Sequence, residues 1–157
     1  MAKPLAYLLT WTTYGTWLQG DARGWVRRGD FTISEGDPKR EAMARASLKE
    51  PPAVLDSQQR AVVEATIRDH CLIRGWQLHA LNARSNHIHV VVTADAPPER
   101  VMEQLRAWCT RRLNERDAEK RISRRKRWWT HPRPLRRPRR RQGRDLVRGA
   151  VERRRPL

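Results

Sequence analysis

The sequence predicts a mixed α+β domain built around an antiparallel β-sheet. Two strand-like segments lie side by side in the middle of the chain, with one helical pattern before them and another after them. A further strand-like segment lies near the start. The length of 157 residues suits one domain, and the 38% hydrophobic content is enough for a modest core.

The first predicted strand covers residues 6–13, because the run AYLLTWTT is aromatic and β-branched. An irregular stretch over residues 15–55 follows, in which glycine and proline recur and one short helix is predicted at residues 40–49. A stretch of this length without clear elements is uncommon in a compact domain and is usually functional or mobile.

The first long helix is predicted to begin after Asp56, which resembles a capping box together with Gln59 three positions later. Gly75 lies where a residue in the left-handed conformation often ends a helix. The predicted buried face recurs at helical spacing and consists of Val62, Val63, Thr66, Ile67, His70 and Ile73.

Two strands are predicted next, at residues 76–84 and 87–94, with a tight turn at Ser85-Asn86 between them. A second helix is predicted to begin at Pro97-Pro98-Glu99, since proline and an acidic residue suit a first turn. Its apolar stripe consists of Val101, Met102, Leu105, Trp108, Cys109 and Leu113.

The order strand, helix, strand, strand, helix is five-sixths of the ferredoxin-like unit β-α-β-β-α-β. This α+β sandwich has an antiparallel sheet with the helices on one face, and we expect the hairpin of residues 76–94 to form the sheet centre. The missing last strand is expected after Lys120, where Ile122 and residues 128–130 (WWT) are the candidates.

The formal charge of +17 is unevenly distributed along the chain. Residues 121–157 hold 16 basic and 2 acidic side chains, a net charge of +14, whereas residues 1–120 carry a net charge of only +3. Residues 131–157 contain 11 arginines and 4 prolines without a sustained apolar period, so they cannot bury enough surface to offset their ordering entropy. We therefore expect a domain over residues 1–130 and a disordered basic tail over residues 131–157.

Composition also excludes several classes of protein. No apolar run approaches the roughly 18–20 residues that a membrane-spanning helix needs, and the start of the chain reads as a strand instead of a signal peptide. Cys71 and Cys109 lack metal-site spacing and lie in apolar helical patterns, which predicts buried free thiols in a reducing compartment. We expect a cytoplasmic protein with a nucleic-acid partner and no membrane partner.

One arrangement suggests chemistry, namely His87-Ile88-His89 within a predicted strand. Side chains two positions apart point to the same face, so both imidazoles project together while Ile88 projects to the other face. Two neutral imidazoles side by side can begin a divalent metal site, with a third ligand from elsewhere. The alternative is that two histidines on a solvated strand face bind no metal.

Three blocks of sequence resemble a known family. Residues 86–92 (NHIHVVV), after the strand GWQLHA at residues 75–80, resemble the HUH motif of the IS200-like transposases. Residues 9–18 (LTWTTYGTWL), then Gly20-Asp21 and residues 23–26 (RGWV), resemble the opening of the branch related to REP-associated tyrosine transposases. Residues 102–113 (MEQLRAWCTRRL) resemble its second helix, so the likeness covers roughly residues 5–130.

The resemblance implies a ferredoxin-like enzyme of DNA transposition and recombination, usually a homodimer, that cleaves and rejoins single-stranded or hairpin DNA. His87 and His89 would bind Mg²⁺ or Mn²⁺ with a third polar ligand, and a tyrosine on a later helix would attack phosphorus. Candidate DNA-binding residues are Arg84, Asn86, Arg106, Arg111 and Arg112. The alternative for the helical arginines is a solvated face with cations placed well near the helix end.

This chain departs from the family pattern at the nucleophile. Its tyrosines are Tyr7 and Tyr14, so none stands on a late helix. We expect a truncated or inactive copy whose basic tail is a frame-shifted end, and translating the neighbouring reading frames tests that hypothesis. Tyr14 stays open as a substitute nucleophile, although a strand-end tyrosine beside glycine is more often structural.

Two other classes of function compete with a transposase. A non-catalytic nucleic-acid-binding module would have the same fold and basic residues, and a basic structural protein of the ribosome type would fit the tail but leave His87 and His89 unexplained. Seven tryptophans allow base stacking. Trp76 and Trp108 fit core stripes, whereas Trp17, Trp25 and Trp128 are the stacking candidates.

Overall fold

The structure is a computed structural model that describes residues 5–27 and 32–130. The predicted basic tail at residues 131–157 therefore lies outside the described residues. The elements in chain order are β1 (Tyr7–Thr12), β2 (Trp25–Val26), β3 (Ile33–Ser34), α1 (Pro38–Ala46), α2 (Ser57–Arg74), β4 (Gln77–Ala83), β5 (His87–Thr93) and α3 (Pro98–Glu119).

The main sheet has the strand order β1-β5-β4, and both pairings are antiparallel. β1 and β4 therefore run in the same direction with β5 between them, as the ferredoxin-like connection requires. This confirms the predicted α+β class. The expectation that the whole hairpin forms the sheet centre is wrong for β4, which lies at an edge of the sheet in the described residues because it pairs with β5 alone.

At the place predicted for the last strand, the described residues form one isolated antiparallel bridge, which joins Thr13 to Trp129. The amide of Tyr14 donates to the carbonyl of Trp128 at 2.9 Å, and the amide of Thr130 donates to the carbonyl of Thr12 at 3.1 Å. Residues 128–130 thus lie along the continuation of β1, on the side away from β5.

The core lies between one face of the sheet and the two long helices. Ile88, Val90 and Val92 of β5 are each 0% exposed. They belong to one buried cluster with residues of α2 and α3, namely Val63, Ile67, Cys71, Val101, Leu105, Cys109 and Leu113. Both cysteines are free and buried, as the sequence predicts, and burial raises the pKa of each thiol.

The ends of α2 follow the sequence signals. The side chain of Asp56 accepts from the Gln59 amide while the Gln59 side chain accepts from the Asp56 amide, and Gly75 ends the helix at φ 67°. The predicted burial of Ile73 is wrong, because this side chain is 80% exposed. Ile73 lies at one edge of the buried face, roughly 90° around the helix from its centre, whereas Cys71 lies at the opposite edge and is buried.

The described part of the stretch predicted to be irregular contains three short elements. β2 and β3 form a two-stranded ribbon, and α1 begins at Pro38, two residues before the predicted helix, because Asp37 accepts from the Arg40 amide. Gly20 lets the backbone before β2 approach the start of α1 closely, since a Cβ there would lie 2.5 Å from the Asp37 carbonyl oxygen. Among the described helices, none combines the length and the apolar character needed to cross a membrane.

Candidate functional site

His87 and His89 lie side by side on the face of the sheet that the helices leave uncovered. β5 alternates between fully buried and partly exposed residues, and both histidines belong to the partly exposed set. Their ring centroids are 4.6 Å apart, with the ring planes at 79°. The local cause is the two-residue period of the strand, which sends Ile88 into the core and both imidazoles to the open face.

Each imidazole is held by a hydrogen bond at Nδ1. The Nδ1 of His87 lies 2.7 Å from the Oδ1 of Asn86, an atom that only accepts, so Nδ1 of this ring carries the hydrogen. The Nδ1 of His89 lies 2.9 Å from the hydroxyl of Thr10, its cross-strand partner. In the tautomer with hydrogen on Nδ1, the Nε2 of each ring keeps a free lone pair, the arrangement of metal-binding histidines.

The electrostatic surroundings favour the neutral form of His87. Its pKa is lowered first by burial, then by the positive charges of His89 and Arg84. A neutral ring is the form that can bind a metal ion.

Threonine hydroxyls border the histidine pair on the β1 side. Thr12 is the cross-strand partner of His87, and its hydroxyl donates to the hydroxyl of Thr130 at 2.9 Å. The hydroxyl of Thr130 donates in turn to the carbonyl of Thr13 at 3.1 Å. The guanidinium of Arg106 donates to the carbonyl of Thr130 at 2.5 Å, so a residue of α3 fixes the segment beside the site.

A comparison with known protein families identifies the family of the chain. The family model described as "Transposase IS200 like" matches residues 47–132, which is more than half of the chain and includes both histidines. The chain belongs to the IS200-like transposase family. No curated protein and no solved structure matches it.

The structure brings together some of the predicted DNA-binding residues of this transposase domain and separates others. Arg84 and Asn86 lie at the hairpin turn next to His87, and the amide of Arg84 donates to the carbonyl of His87 at 2.9 Å. Arg111 and Arg112 are exposed on α3, which packs on the opposite face of the sheet from the histidines.

The three predicted arginines of α3 also have intramolecular partners. Arg111 lies 4.4 Å above the ring of Trp108, and Arg112 lies 3.5 Å from a carboxylate oxygen of Glu115. Arg106 is half-buried, and burial lowers its pKa while Glu103 opposes that effect. The guanidinium of Arg106 donates to the Thr130 carbonyl. The three arginines therefore form no continuous basic patch with the histidine pair.

Tyr14 is built into the fold. Its hydroxyl accepts from the amide of Lys49 at 2.8 Å, and its ring packs against the buried cluster. Its carbonyl accepts from the amide of Ala53 at 2.8 Å. Tyr14 therefore ties β1 to the segment before α2.

The histidine pair fits a divalent ion as two of its ligands. Both rings are fixed at one nitrogen, and imidazole nitrogen is a good donor for first-row metals. Within residues 5–27 and 32–130, no group of three or more His, Cys, Asp or Glu side chains lies close enough to hold an ion. The described part of the chain thus supplies a two-nitrogen site without a third ligand of these types.

Sequence reasoning missed Thr10 and Thr12 because the pairing of β1 with β5 cannot be read from local pattern. The polar alternation of β1 was a usable signal, since Thr10 and Thr12 follow Leu8 on one face. Among the stacking candidates, Trp17 is 46% exposed, whereas Trp25 at 5% and Trp128 at 3% are buried, so the expectation of exposure is wrong for these two.

Each of these two buried indoles has an internal hydrogen-bond partner. The Nε1 of Trp25 donates to the Glu35 carbonyl at 2.8 Å, and the Nε1 of Trp128 donates to the Asn114 side chain at 2.9 Å.

Proposed function

We propose that this IS200-like domain binds single-stranded or hairpin DNA at the open face of its sheet, with His87 and His89 as ligands of Mg²⁺ or Mn²⁺. The observation that carries the proposal is the pair of imidazoles 4.6 Å apart, each held at Nδ1. When bound, such an ion polarises a phosphodiester and stabilises the charge that develops as the bond breaks.

The remaining roles follow from the residues around the pair. Asn86 and Thr10 orient the two imidazole rings. The rings therefore lose little conformational freedom when a metal ion binds. Arg84, at the hairpin turn, is exposed and can approach a phosphate. Arg111 and Arg112 lie on the helical face and act only on DNA that wraps around the domain.

The chain binds DNA without becoming covalently joined to it. Its tyrosines are Tyr7 and Tyr14, and the hydroxyl of Tyr14 accepts a hydrogen bond from the Lys49 amide. Tyr14 serves the fold and is not a nucleophile.

The chain belongs to the branch related to REP-associated tyrosine transposases. The family match begins at residue 47, so this finer assignment depends on the opening block at residues 9–26. The ordered packing of that block against the hairpin turn supports a role for it near the DNA.

A second candidate function is a nucleic-acid-binding module that uses no metal ion. The two-nitrogen donor set favours it, because no third His, Cys, Asp or Glu ligand accompanies the pair in the part of the chain that is described. In that case the histidines would contact DNA directly, and added metal would leave affinity unchanged.

Manganese binding and covalent-adduct formation separate these possibilities. The test compares the wild-type chain with the His87→Ala/His89→Ala variant on a labelled single-stranded hairpin, with and without Mn²⁺. The matched control is His79→Ala, because His79 is exposed on β4 and bonds to Thr93. We expect Mn²⁺ to bind and to strengthen DNA binding in the wild type and the control, and not in the double variant.

Two results would contradict the proposal. Equal Mn²⁺ binding by the wild-type chain and the double variant would remove the metal site and favour the second candidate. A covalent adduct that resists denaturation and is lost in Tyr14→Phe would show that Tyr14 is a nucleophile after all.

A further inference from the structure

Trp17 is unlike the other six tryptophans of the chain. All seven lie in the described residues; five are buried, Trp108 is half-buried, and Trp17 is 46% exposed. Its exposure is not that of a loose side chain, because its indole Nε1 donates to the carbonyl of Gly24 at 2.9 Å. A large flat apolar ring is thus held rigidly in water.

A clamped guanidinium backs this indole. The Cζ atom of Arg23 lies 4.5 Å from the centroid of the Trp17 ring. Arg23 is fixed in turn by Asp21, whose two carboxylate oxygens accept from Nε at 2.9 Å and from Nη2 at 2.7 Å. A third bond from Nη2 to the carbonyl of Thr16, at 3.0 Å, completes the clamp.

The charge of Arg23 is paired within the loop, although its side chain is 50% exposed. The hydrogen bond from Arg23 lowers the pKa of Asp21 to about 2 although burial opposes this shift, so the carboxylate is ionised at neutral pH. The two charges of the pair therefore cancel. The loop presents to solvent both the paired guanidinium of Arg23 and the aromatic surface of Trp17.

A glycine gives the backbone of the loop the conformation that holds the indole. Gly24, whose carbonyl holds the indole, adopts φ 102°, and a Cβ there would lie 2.7 Å from Cγ2 of Ile33. Trp25 beside it is the buried anchor, with its indole donating to the Glu35 carbonyl. Trp25 thus anchors the loop to the rest of the domain, whereas Trp17 is exposed to solvent.

The displayed indole belongs to the same end of the sheet as the histidine pair. The hydroxyl of Thr16, adjacent to Trp17, donates to the carbonyl of Thr13 at 2.9 Å and lies 3.5 Å from the carbonyl of Asn86. Asn86 contacts His87 directly. The loop that holds Trp17 therefore lies beside the hairpin turn that precedes His87.

We propose that the Trp17 indole, backed by Arg23 and Asp21, is a stacking site for one unpaired DNA base beside the histidine pair. This rests on the proposed DNA-binding function and adds a subsite to it. The ligand is a nucleobase, since the loop offers a π-surface backed by a guanidinium whose charge is paired with that of Asp21. Sequence preference is weak, because every base has a face that can stack.

Affinity for two strands of equal charge tests the proposal. In EDTA and 0.3 M salt, anisotropy of labelled (dT)20 is compared with that of a strand of 20 abasic deoxyribose phosphates. Trp17→Ala is expected to weaken binding of (dT)20 by about 5- to 150-fold and to leave the abasic strand unchanged. Trp17→Phe is expected to lose less affinity than Trp17→Ala, because the aromatic face remains although the hydrogen bond to Gly24 is lost.

The matched control is Trp108→Ala, since Trp108 also lies under an arginine but on the helical layer. It is expected to leave (dT)20 affinity unchanged, and thermal unfolding followed by circular dichroism verifies that each variant is folded. The slope of log K against log salt is expected to stay the same in Trp17→Ala, because no phosphate contact is lost.

Photo-crosslinking identifies the contact directly. A (dT)20 strand with 5-iodo-deoxyuridine is irradiated on the wild-type chain, and the linked peptide is mapped by mass spectrometry. A crosslink at Trp17 supports the site; crosslinks only at residues 131–157, or equal losses on both strands in Trp17→Ala, overturn it. Because these assays contain no metal, a failure here leaves the histidine-dependent Mn²⁺ result intact, and the reverse holds too.

Discussion

The two faces of the main sheet differ in what fixes their side chains. On the covered face, Ile88, Val90 and Val92 are 0% exposed and are held by apolar packing against two helices. On the open face, the rings of His87 and His89 are each held by one hydrogen bond, between His87 and Asn86 and between His89 and Thr10. One strand therefore carries residues fixed by packing and residues fixed by single hydrogen bonds.

The difference separates stability from chemistry. Packing tolerates no loss of volume on the covered face, whereas the open face can change its polar groups at little cost in folding. Substitutions on the covered face of β5 are therefore expected to lower the stability of the fold, and substitutions on its open face to change binding.

The largest expected effect is that of Ile88→Ala on folding. Removing a fully buried side chain leaves a cavity, so we expect a loss of about 2–5 kcal/mol in the free energy of unfolding. His89→Ala, one position away, is expected to lose less than about 1 kcal/mol. Urea unfolding measures both, and comparable losses in the two variants would break the contrast between the faces.

The next effect concerns the orientation of His89. Thr10→Val removes the hydroxyl that meets Nδ1 of this ring, and loss of such a partner typically costs about 10- to 100-fold in metal affinity. We expect that range for Mn²⁺ by calorimetry, with Thr10→Ser restoring affinity. ¹⁵N–¹H correlation spectra of the metal-free protein would also show the ring losing its single tautomer. Unchanged spectra in Thr10→Val would exclude the positioning role.

A smaller effect is expected at the start of α2. Asp56→Ala removes the side chain that accepts from the Gln59 amide, for an expected loss of about 1 kcal/mol in the free energy of unfolding. Asp56→Asn, which keeps a capping oxygen, separates the cap from the ion pair with Arg116 at 3.8 Å. DNA and metal binding should be untouched by either substitution, since the cap belongs to the helical layer.

The smallest effect is a pH dependence from His87. Its pKa in the folded protein lies below the ordinary value of 6.5, so the unfolded chain takes up a proton first as pH falls. The free energy of unfolding should therefore decrease as pH falls through 6.5 toward the lowered pKa, and be unaffected by this group above 6.5. Unfolding in EDTA at pH 5–8 measures the slope, and an equally steep slope in His87→Gln would assign it to other groups.

Local signals in the sequence were enough for the elements and not for their assembly. The cap at Asp56 and the αL residue Gly75 are decided within a few positions, and both are correct. The pairing of Thr10 with His89 depends on contacts between residues 79 positions apart, which no local pattern encodes. For the same reason the ribbon of β2 and β3 was missed, since two-residue strands are set by their neighbours.

The candidate site was predictable in part. The H-x-H spacing alone predicts a shared face, and the structure has both rings there. The exposure of Trp17 and the burial of Trp25 were not separable from sequence, because both stand in the same glycine-rich run. Both indoles donate to a backbone carbonyl, and only their packing in the folded chain distinguishes them.

The bridge between Thr13 and Trp129 has a consequence for the synthesis of the chain. β1 leaves the ribosome before the strands that pair with it. Its partner β5 follows about 80 residues later. The hydroxyls of Thr12 and Thr130, beside the bridge, belong to residues 118 positions apart. Trp11 also awaits its edge-to-face partner Trp129, 6.2 Å away. Pairings this distant slow folding, so the earliest strand stays unprotected until translation has passed nearly the whole domain.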